Sequence, residues 1–446
     1  MKNRKTFLMA LILILYFFTI VQGLSTFSNE QDDKNNKNIV PLLSASNSVA
    51  MEWNLTWGGN GPDYGFGVAV DSLNNVYLAG YTRSFGAGSY DMVLVKYNYS
   101  GVHQWNRTWG GSNEDYGRRV AVDSSDNMYL AGSTRSFGAG SSDMVLVKFD
   151  SSGVQQWNRT WGGSDDDYGS GVAVDSSDNV YLAGGTRSFG AESYDMVLLK
   201  YDSSGVQQWY RIWDGGDADY CRGVAVDSSD NVYLAGETGS FGAGSYDMVL
   251  VKYDSSGVQQ WYRIWGGIDY DFGRGVAVDS SDNVYLAGYT HSFGAGSSDM
   301  VLVKYDSSGL QQWNRTWGGS GHEEAHGVAV DSSDNVYLAG ENNTYGAGHG
   351  DMALVKHDSS GVQQWNRIWG GSGPDYGYGV VVDSSDNVYL AGYTHSFGAG
   401  SSDMVLVKFG IEKREKEQAI SGYDLSLFTC VIGVITAISL NKKYNK

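Results

Sequence analysis

The string His322-Glu323-Glu324-Ala325-His326 comes closest, by residue type and spacing, to a known chemistry. Histidines four apart with a glutamate after the first serve zinc hydrolases, because a helical turn brings both imidazoles to one ion and leaves the carboxylate as base. Here the string stands where sibling stretches read Asp-Tyr-Gly, in what the sequence presents as a glycine-rich loop entering a strand, so protease chemistry is not expected. A loop metal site is the remaining chemical reading. His322, Glu323, His326 and, from a neighbouring loop, His349 would suit Zn2+, against the plainer reading of loop histidines without a metal. Acidic loops such as Asp165-Asp166-Asp167 would suit Ca2+ through carboxylate oxygens, or are solvated turns. No cofactor is read firmly, and no nucleophile, base and acid set can be assembled, because the serines are repeated turn residues and the histidines do not recur.

Comparing the chain with itself at a step of 52 residues supplies a second group of candidates. Against a nearly constant background, three columns vary. The first is Phe66, Arg118, Ser170, Arg222, Arg274, His326 and Tyr378. The second is Tyr81, Ser133, Gly185, Glu237, Tyr289, Glu341 and Tyr393. The third is Arg83, Arg135, Arg187, Gly239, His291, Asn343 and His395. Aromatic and arginine side chains gathered around one opening are what a protein or glycan contact uses. A solvated rim with no ligand is the alternative.

What must position these residues is the repeat itself. All 14 tryptophans fall in pairs four apart, from Trp53 and Trp57 to Trp365 and Trp369, and Asp71 to Asp383 keep the same step. Seven copies without an insertion imply a closed array. One copy reads as four strands, Gly171 to Asp175, Val180 to Thr186, Asp195 to Tyr201 and Val206 to Trp213, each bounded by a turn such as Asp175-Ser-Ser-Asp-Asn179. Met196-Val-Leu-Leu199 is apolar on both faces, as a strand between stacked sheets must be. The expected fold is all-β, a seven-bladed β-propeller of four-stranded blades over 48–409. The first copy begins on a Trp strand (Val49 to Trp57) and the last ends at Phe409, so that first strand should complete the last blade.

The unit Gly171-Val-Ala-Val-Asp-Ser-Ser-Asp-Asn-Val-Tyr-Leu-Ala-Gly184, with Ser193-Tyr-Asp195 and a Lys-Tyr-Asp-Ser-Ser-Gly turn leading to Trp209, resembles the SBBP β-propeller repeat family over about Ser48 to Phe409. Members of that family are mostly prokaryotic secreted or surface proteins without one defined activity, so the resemblance implies fold and location more than chemistry. Neither kelch nor WD40 signatures fit as well. Asp202, Gly205 and Trp209 are similar to the tryptophan-docking turn of quinoprotein propellers, but one residue short, and eight blades would be expected there.

The ends bear on location. Residues 1–24 read as a signal peptide and 25–47 as a polar linker; 410–421 form a charged spacer, 422–441 a transmembrane anchor or sorting helix, and 442–446 a basic cytoplasmic tail. The net charge of −19 includes the cations Lys2, Arg4, Lys5, Lys442, Lys443 and Lys446 at the two ends, so the body carries about −25 and repels nucleic acid. Cys221 and Cys430 cannot plausibly pair, which leaves packing to provide stability. Export would make the Asn-x-Ser/Thr sites at Asn54, Asn98, Asn106, Asn158, Asn314 and Asn342 candidates for glycan. The sequence therefore reads as an extracellular, membrane-anchored, non-enzymatic scaffold for surface proteins or glycans, of unstated oligomeric state. A structural envelope component or a metal-dependent enzyme at blade six are the rival readings.

Overall fold

The computed structural model describes residues 49–191 and 193–411, where 28 strands form seven four-stranded antiparallel sheets and no helix. The first complete sheet shows why the repeat folds this way. Its strands β2 (Asp63–Val70), β3 (Val76–Thr82), β4 (Asp91–Tyr97) and β5 (His103–Trp109) lie in chain order. The two middle strands are buried on both faces apart from Tyr81 and Lys96, whereas β5 alternates exposed and half-buried positions as the outer edge. Sheets of that character must stack. Each apolar layer accordingly spans two neighbours, as where Tyr77, Ala79, Met92 and Leu94 meet Met128, Leu130, Val145 and Val147 of the next sheet. Each such fully buried aliphatic side chain contributes about 1.5–3 kcal/mol. Seven of these layers close a ring, a seven-bladed β-propeller with β2 and its equivalents innermost.

The tryptophans complete the layers from outside. Trp105 packs 6.0 Å from Tyr77 and Trp109 lies 5.2 Å from Phe137 of the following blade. Arg107 lies over the Trp105 ring and donates from Nε to the Gly153 carbonyl of that blade at 2.7 Å.

The Asp-Ser-Ser-Asp-Asn turns lock blades together on one face. Burial alone would raise the Asp71 carboxyl, but hydrogen bonds from Asn75 and Tyr77 and the Lys96 charge outweigh it and hold the group below its usual range. The fourth turn residue takes positive φ, 60° at Asp126, which aims its carboxylate at the backbone N–H and hydroxyl of Ser72 in the preceding blade, at 2.9 and 2.8 Å.

The last sheet has the order β1-β28-β27-β26, in which β1 (Val49–Trp57) pairs along β28 (Asp403–Ile411), next to β27 (Val388–Thr394) and β26 (Asp375–Val382). The N-terminal strand thus closes the ring, as the complementary ends imply.

One expectation needs correction. The innermost strand of each copy begins four residues earlier than the sequence suggests, at Asp167 rather than Gly171 in the third blade, and the outermost begins at Gln207. The Asp-Tyr-Gly segment is a strand because the ladder continues through it, from Asp167↔Thr186 to Gly169↔Gly184, before a bulge shifts the register. Among the described residues no helix is long and apolar enough to cross a membrane; residues 1–24 and 422–441, where the leader and anchor are expected, lie outside them.

Candidate functional site

A bulge builds the site. In all seven inner strands the register slips by one residue, between Gly65 and Gly67 in β2 and between Gly117 and Arg119 in β6 (Asp115–Val122). The extra residue has no partner across the ladder, and bulges of this kind re-aim a side chain. That residue is the first variable column. Phe66, Arg118, Ser170, Arg222, Arg274, His326 and Tyr378 therefore line a central basin of about 510 Å3, joined by Ser133 of the second column and by Tyr168, Tyr194 and Tyr220. A smaller cavity of about 140 Å3 continues below it, walled by the Gly-Val pairs of the inner strands.

Its floor contains a residue that sequence comparison missed. Along the inner strands the Gly-Val-Ala-Val stretch recurs in nearly every copy, yet Arg119 stands where the six other copies have glycine. Glycine fits that position because neighbouring strands approach closely: a Cβ on Gly67 would lie 2.8 Å from the Arg119 Cα. Arg119 extends into the channel, lines both cavities and donates from Nη1 to the Phe66 carbonyl at 2.7 Å and from Nη2 towards the His326 carbonyl at 3.4 Å. Burial and the adjacent Arg118 charge lower its guanidinium to about 10. The signal lay in a column that was otherwise constant, where a search for variable positions does not look.

Around the mouth runs an aromatic belt that was hidden for the same reason. Tyr64, Tyr116, Tyr168, Tyr220, Phe272 and Tyr376 occupy the second position of their strands, and only blade six breaks the series, with Glu324. Tyr168, Tyr194 and Tyr220 follow one another at 5.4 Å spacing. Gly185 leaves room for the Tyr168 ring, which a Cβ there would strike at 2.5 Å. On the opposite side Phe66 packs 4.7 Å from Tyr378 and 5.3 Å from Tyr81, while Tyr393 stacks 5.7 Å from Tyr378.

The charges are uneven. Arg222 donates from Nε and Nη2 to Glu237 Oε1 at 2.9 and 2.7 Å, and Arg274 reaches the same oxygen at 3.3 Å and the Tyr289 hydroxyl at 2.9 Å. Arg118 meets ring faces, 4.7 Å over Phe66 and 5.7 Å over Tyr81, and among the described residues no salt bridge joins it to a carboxylate. The Nε of Arg274 and the hydroxyl of Tyr168 are buried without a partner.

Blade six differs from the expected metal site. From its second residue the string lies on the strand β22 (Glu323–Val330), which pairs with β23 (Val336–Asn342), and an extended chain separates residues four apart by about 13 Å. His322 and His326 are thus not brought to one ion by the backbone. His322 sits 3.2 Å from the Ser298 hydroxyl, His349 is exposed on its loop, and Glu323 is fully buried, accepting from the Gly319 and Thr344 amides at 2.7 and 3.0 Å. The ladder instead pairs Glu324 with Glu341, and their carboxylates meet His326 with all ligand atoms within 4.8 Å. Burial and the Glu324 charge push Glu341 up to about 7, and burial with the Arg274 and Arg119 charges lowers His326 to about 3. A second group, Asp195, Asp214 and Asp219, offers oxygen alone, the set that suits a hard cation such as Ca2+. The Asp165-Asp-Asp167 loop does not gather in this way: Asp167 is buried and accepts from Gly163 N and Ser188 Oγ at 2.8 and 2.6 Å, and Asp166 accepts from Ser141.

The remaining candidates lie farther out. Tyr81, Tyr289 and Tyr393 back the basin wall, whereas Arg83, Arg135, Arg187, His291 and His395 are exposed at the rim. Arg135 pairs with Glu114 at 2.5 Å, Arg187 covers Tyr194 at 5.3 Å, and His395 Nδ1 lies 2.7 Å from the Ser401 carbonyl. Asn54, Asn106, Asn158 and Asn314 are exposed on outermost strands, and Asn98 shapes a turn by accepting from the Ser100 and Val102 amides. Asn342 is not available for glycan: it is fully buried, and its side chain holds the loop through Thr344 and Tyr345.

The SBBP β-propeller repeat family matches residues 57–85, 156–188, 212–242, 260–294 and 364–398. An uncharacterised WD repeat-containing protein of Acanthamoeba polyphaga mimivirus is 22% identical over 289 residues, 55% of this chain and 19% of the viral protein. The chain thus spans about a fifth of that relative's length. Among solved structures, the WD40 domain of Neurospora crassa Pan2 superposes with a TM-score of 0.53 at 10% identity, covering 83% of this chain and 97% of that one. A catalytically inactive virginiamycin B lyase from Staphylococcus aureus gives 0.51 at 10% identity, over 81% and 99%. Both likenesses concern the fold alone.

Proposed function

For a chain that carries SBBP β-propeller repeats, we propose the role of a non-enzymatic binding scaffold at the cell surface, with the central basin as its contact for protein or glycan partners. One observation supports this most: the bulge residues, which depart most from an otherwise repeated scaffold, line a single cavity. Aromatic and arginine side chains there offer stacking faces and directed donors, the residue types that dominate binding energy elsewhere. The WD40 domain likeness bears on the fold alone, an architecture that places function in its loops and faces without fixing which function it is. Surface location rests on the apolar segment near the start of the chain and the basic-flanked one near its end.

The test is a pull-down from envelope fractions together with a glycan array, using the full chain and a Phe66→Ser/Tyr378→Ser variant. Both changes install the Ser170 residue of blade three, so the fold is expected to be retained, which near-UV circular dichroism checks. Partners captured by the parent should be lost by the variant. Partners retained by it, and lost instead on changing the exposed rim residues Arg83 and Arg187, would overturn the basin as the contact.

A further inference from the structure

We propose that the ligand of the basin is an anionic sugar, one carrying a carboxylate or a sulfate ester, whose charge is met by Arg118 and Arg119 and whose ring lies on the aromatic wall. The inference rests on the basin being a binding site, and it names the chemistry that site selects.

Charge is the first support. The chain as a whole carries −19, yet the residues lining the basin include four arginines and no carboxylate. Glu237 stands just behind the lining and is shared by Arg222 and Arg274. Among the described residues that leaves Arg118 and Arg119 without an acid, one resting on ring faces and the other on backbone carbonyls. A cation desolvated on carbonyl oxygens alone is poorly compensated, and an entering anion would complete it. The acidic pair of blade six does not cancel this field. Neither glutamate lines the basin, and Glu341, pushed up to about 7, is only partly ionised at neutral pH.

Unspent donors are the second support. Arg274 Nε and the Tyr168 hydroxyl are buried without partners on residues that line the basin. Buried donors of this kind ordinarily find an acceptor, and a sugar hydroxyl or anionic oxygen supplies one.

Shape is the third. The cavity, about 510 Å3, falls within the rough 300–1,000 Å3 range of small-molecule sites. It is floored by Arg119 and walled by Tyr168, Tyr194 and Tyr220, flat faces suited to the apolar side of a pyranose. Side chains from all seven blades line the cavity, so a compact ligand that enters it is met from every side.

The repeats provide controls for the experiment. Arg119→Gly restores the residue found in six sibling blades, and Arg118→Ser installs that of blade three, so neither is expected to unfold the chain; near-UV circular dichroism from the tryptophans checks this. The full chain would be titrated calorimetrically with trigalacturonate, a sulfated chondroitin disaccharide and a neutral galactose trisaccharide. Binding of either anionic probe is expected, weakening at least tenfold between about 50 and 500 mM salt because the contact is ionic. The Arg118→Ser/Arg119→Gly variant should lose at least another tenfold. The carboxylate and sulfate arms separate the two sources of charge. Equal binding of the neutral sugar, unchanged in the arginine variant, would overturn the anionic inference and leave the basin standing as a glycan site. Failure of every sugar, with an envelope protein still lost on changing Phe66 and Tyr378, would overturn the inference alone, whereas basin changes that affect no partner would overturn the proposed function itself.

Discussion

Asp214 shows what one departure from the repeat costs. Six blades place glycine after the second tryptophan, because a Cβ there overlaps the carboxylate that opens the third strand, Asp91 beside Gly110 for instance. Blade four has Asp214 instead and so brings a third carboxylate to Asp195 and Asp219. Burial first, then the Asp214 charge, pushes Asp195 up to about 7. A carboxyl whose folded pKa exceeds its unfolded value stabilises the fold at low pH and loses that contribution as pH rises, here between about 4 and 7. Asp214→Gly should therefore stabilise the protein by about 1 kcal/mol at pH 8, with the gain shrinking below pH 5. Thermal melts across that range check it, and a variant less stable at pH 8 would refute the argument. The same melts with Ca2+ address the ion: a rise in the parent that Asp214→Gly abolishes would identify the triad as a calcium site. At this scale the sequence was only partly legible. The variable columns pointed to the basin, but Arg119 and Glu324 interrupt constant columns, and their importance depends on which way a bulged strand turns its side chains.

At the scale of the element, the strands could be read from the residues because they alternate or run apolar, and the turns because Asp, Ser and Gly mark them. The start of the inner strand was not readable, since Asp-Tyr-Gly carries the composition of a loop and its pairing depends on Thr82-type partners 19 residues away. The same loop-like composition makes the blade-six histidines look like neighbours, whereas a strand keeps them apart and joins Glu324 to Glu341. The turns contain a device invisible in one copy alone. Ser124 donates its amide and hydroxyl to separate oxygens of Asp178 at 3.0 and 2.8 Å, whereas the latch across the closure has Ser384 sharing the single amide oxygen of Asn74, at 3.4 and 3.1 Å. Asn74 already holds φ 61°, the conformation aspartate adopts in the six other turns. Asn74→Asp should thus strengthen the closing latch by about 0.5–1.5 kcal/mol, since a charged acceptor replaces a neutral one. Denaturant unfolding would show a higher midpoint at unchanged slope, and a midpoint that stays or falls would show that the latch contributes nothing.

For the whole molecule, a period of 52 residues and complementary ends were enough to deduce both the ring and its closure, because seven half-buried sheets have no other way to cover their faces. Closure then depends on a single strand. β1 pairs with β28 from Val49 to Trp57, its Trp53 and Trp57 pack on the layer shared by the last and first blades, and the Val49 carbonyl accepts from Arg367 at 2.8 Å. Glu52, opposite a register shift, meets Lys408 at 2.9 Å. Removing residues 49–57 would leave β28 as an unpaired edge and strip two tryptophans from one layer, while the other six blades keep their own four strands. Hydrogen exchange should accordingly rise in β26, β27 and β28 well before it rises elsewhere, and the chain should dimerise or aggregate through the open edge. A synthetic peptide of residues 48–58 added to the truncated chain should restore protection by strand addition. Unchanged exchange in blade seven would mean that the apolar layers alone hold the ring shut, and uniform loss of protection in all blades would mean that the propeller folds as one indivisible unit.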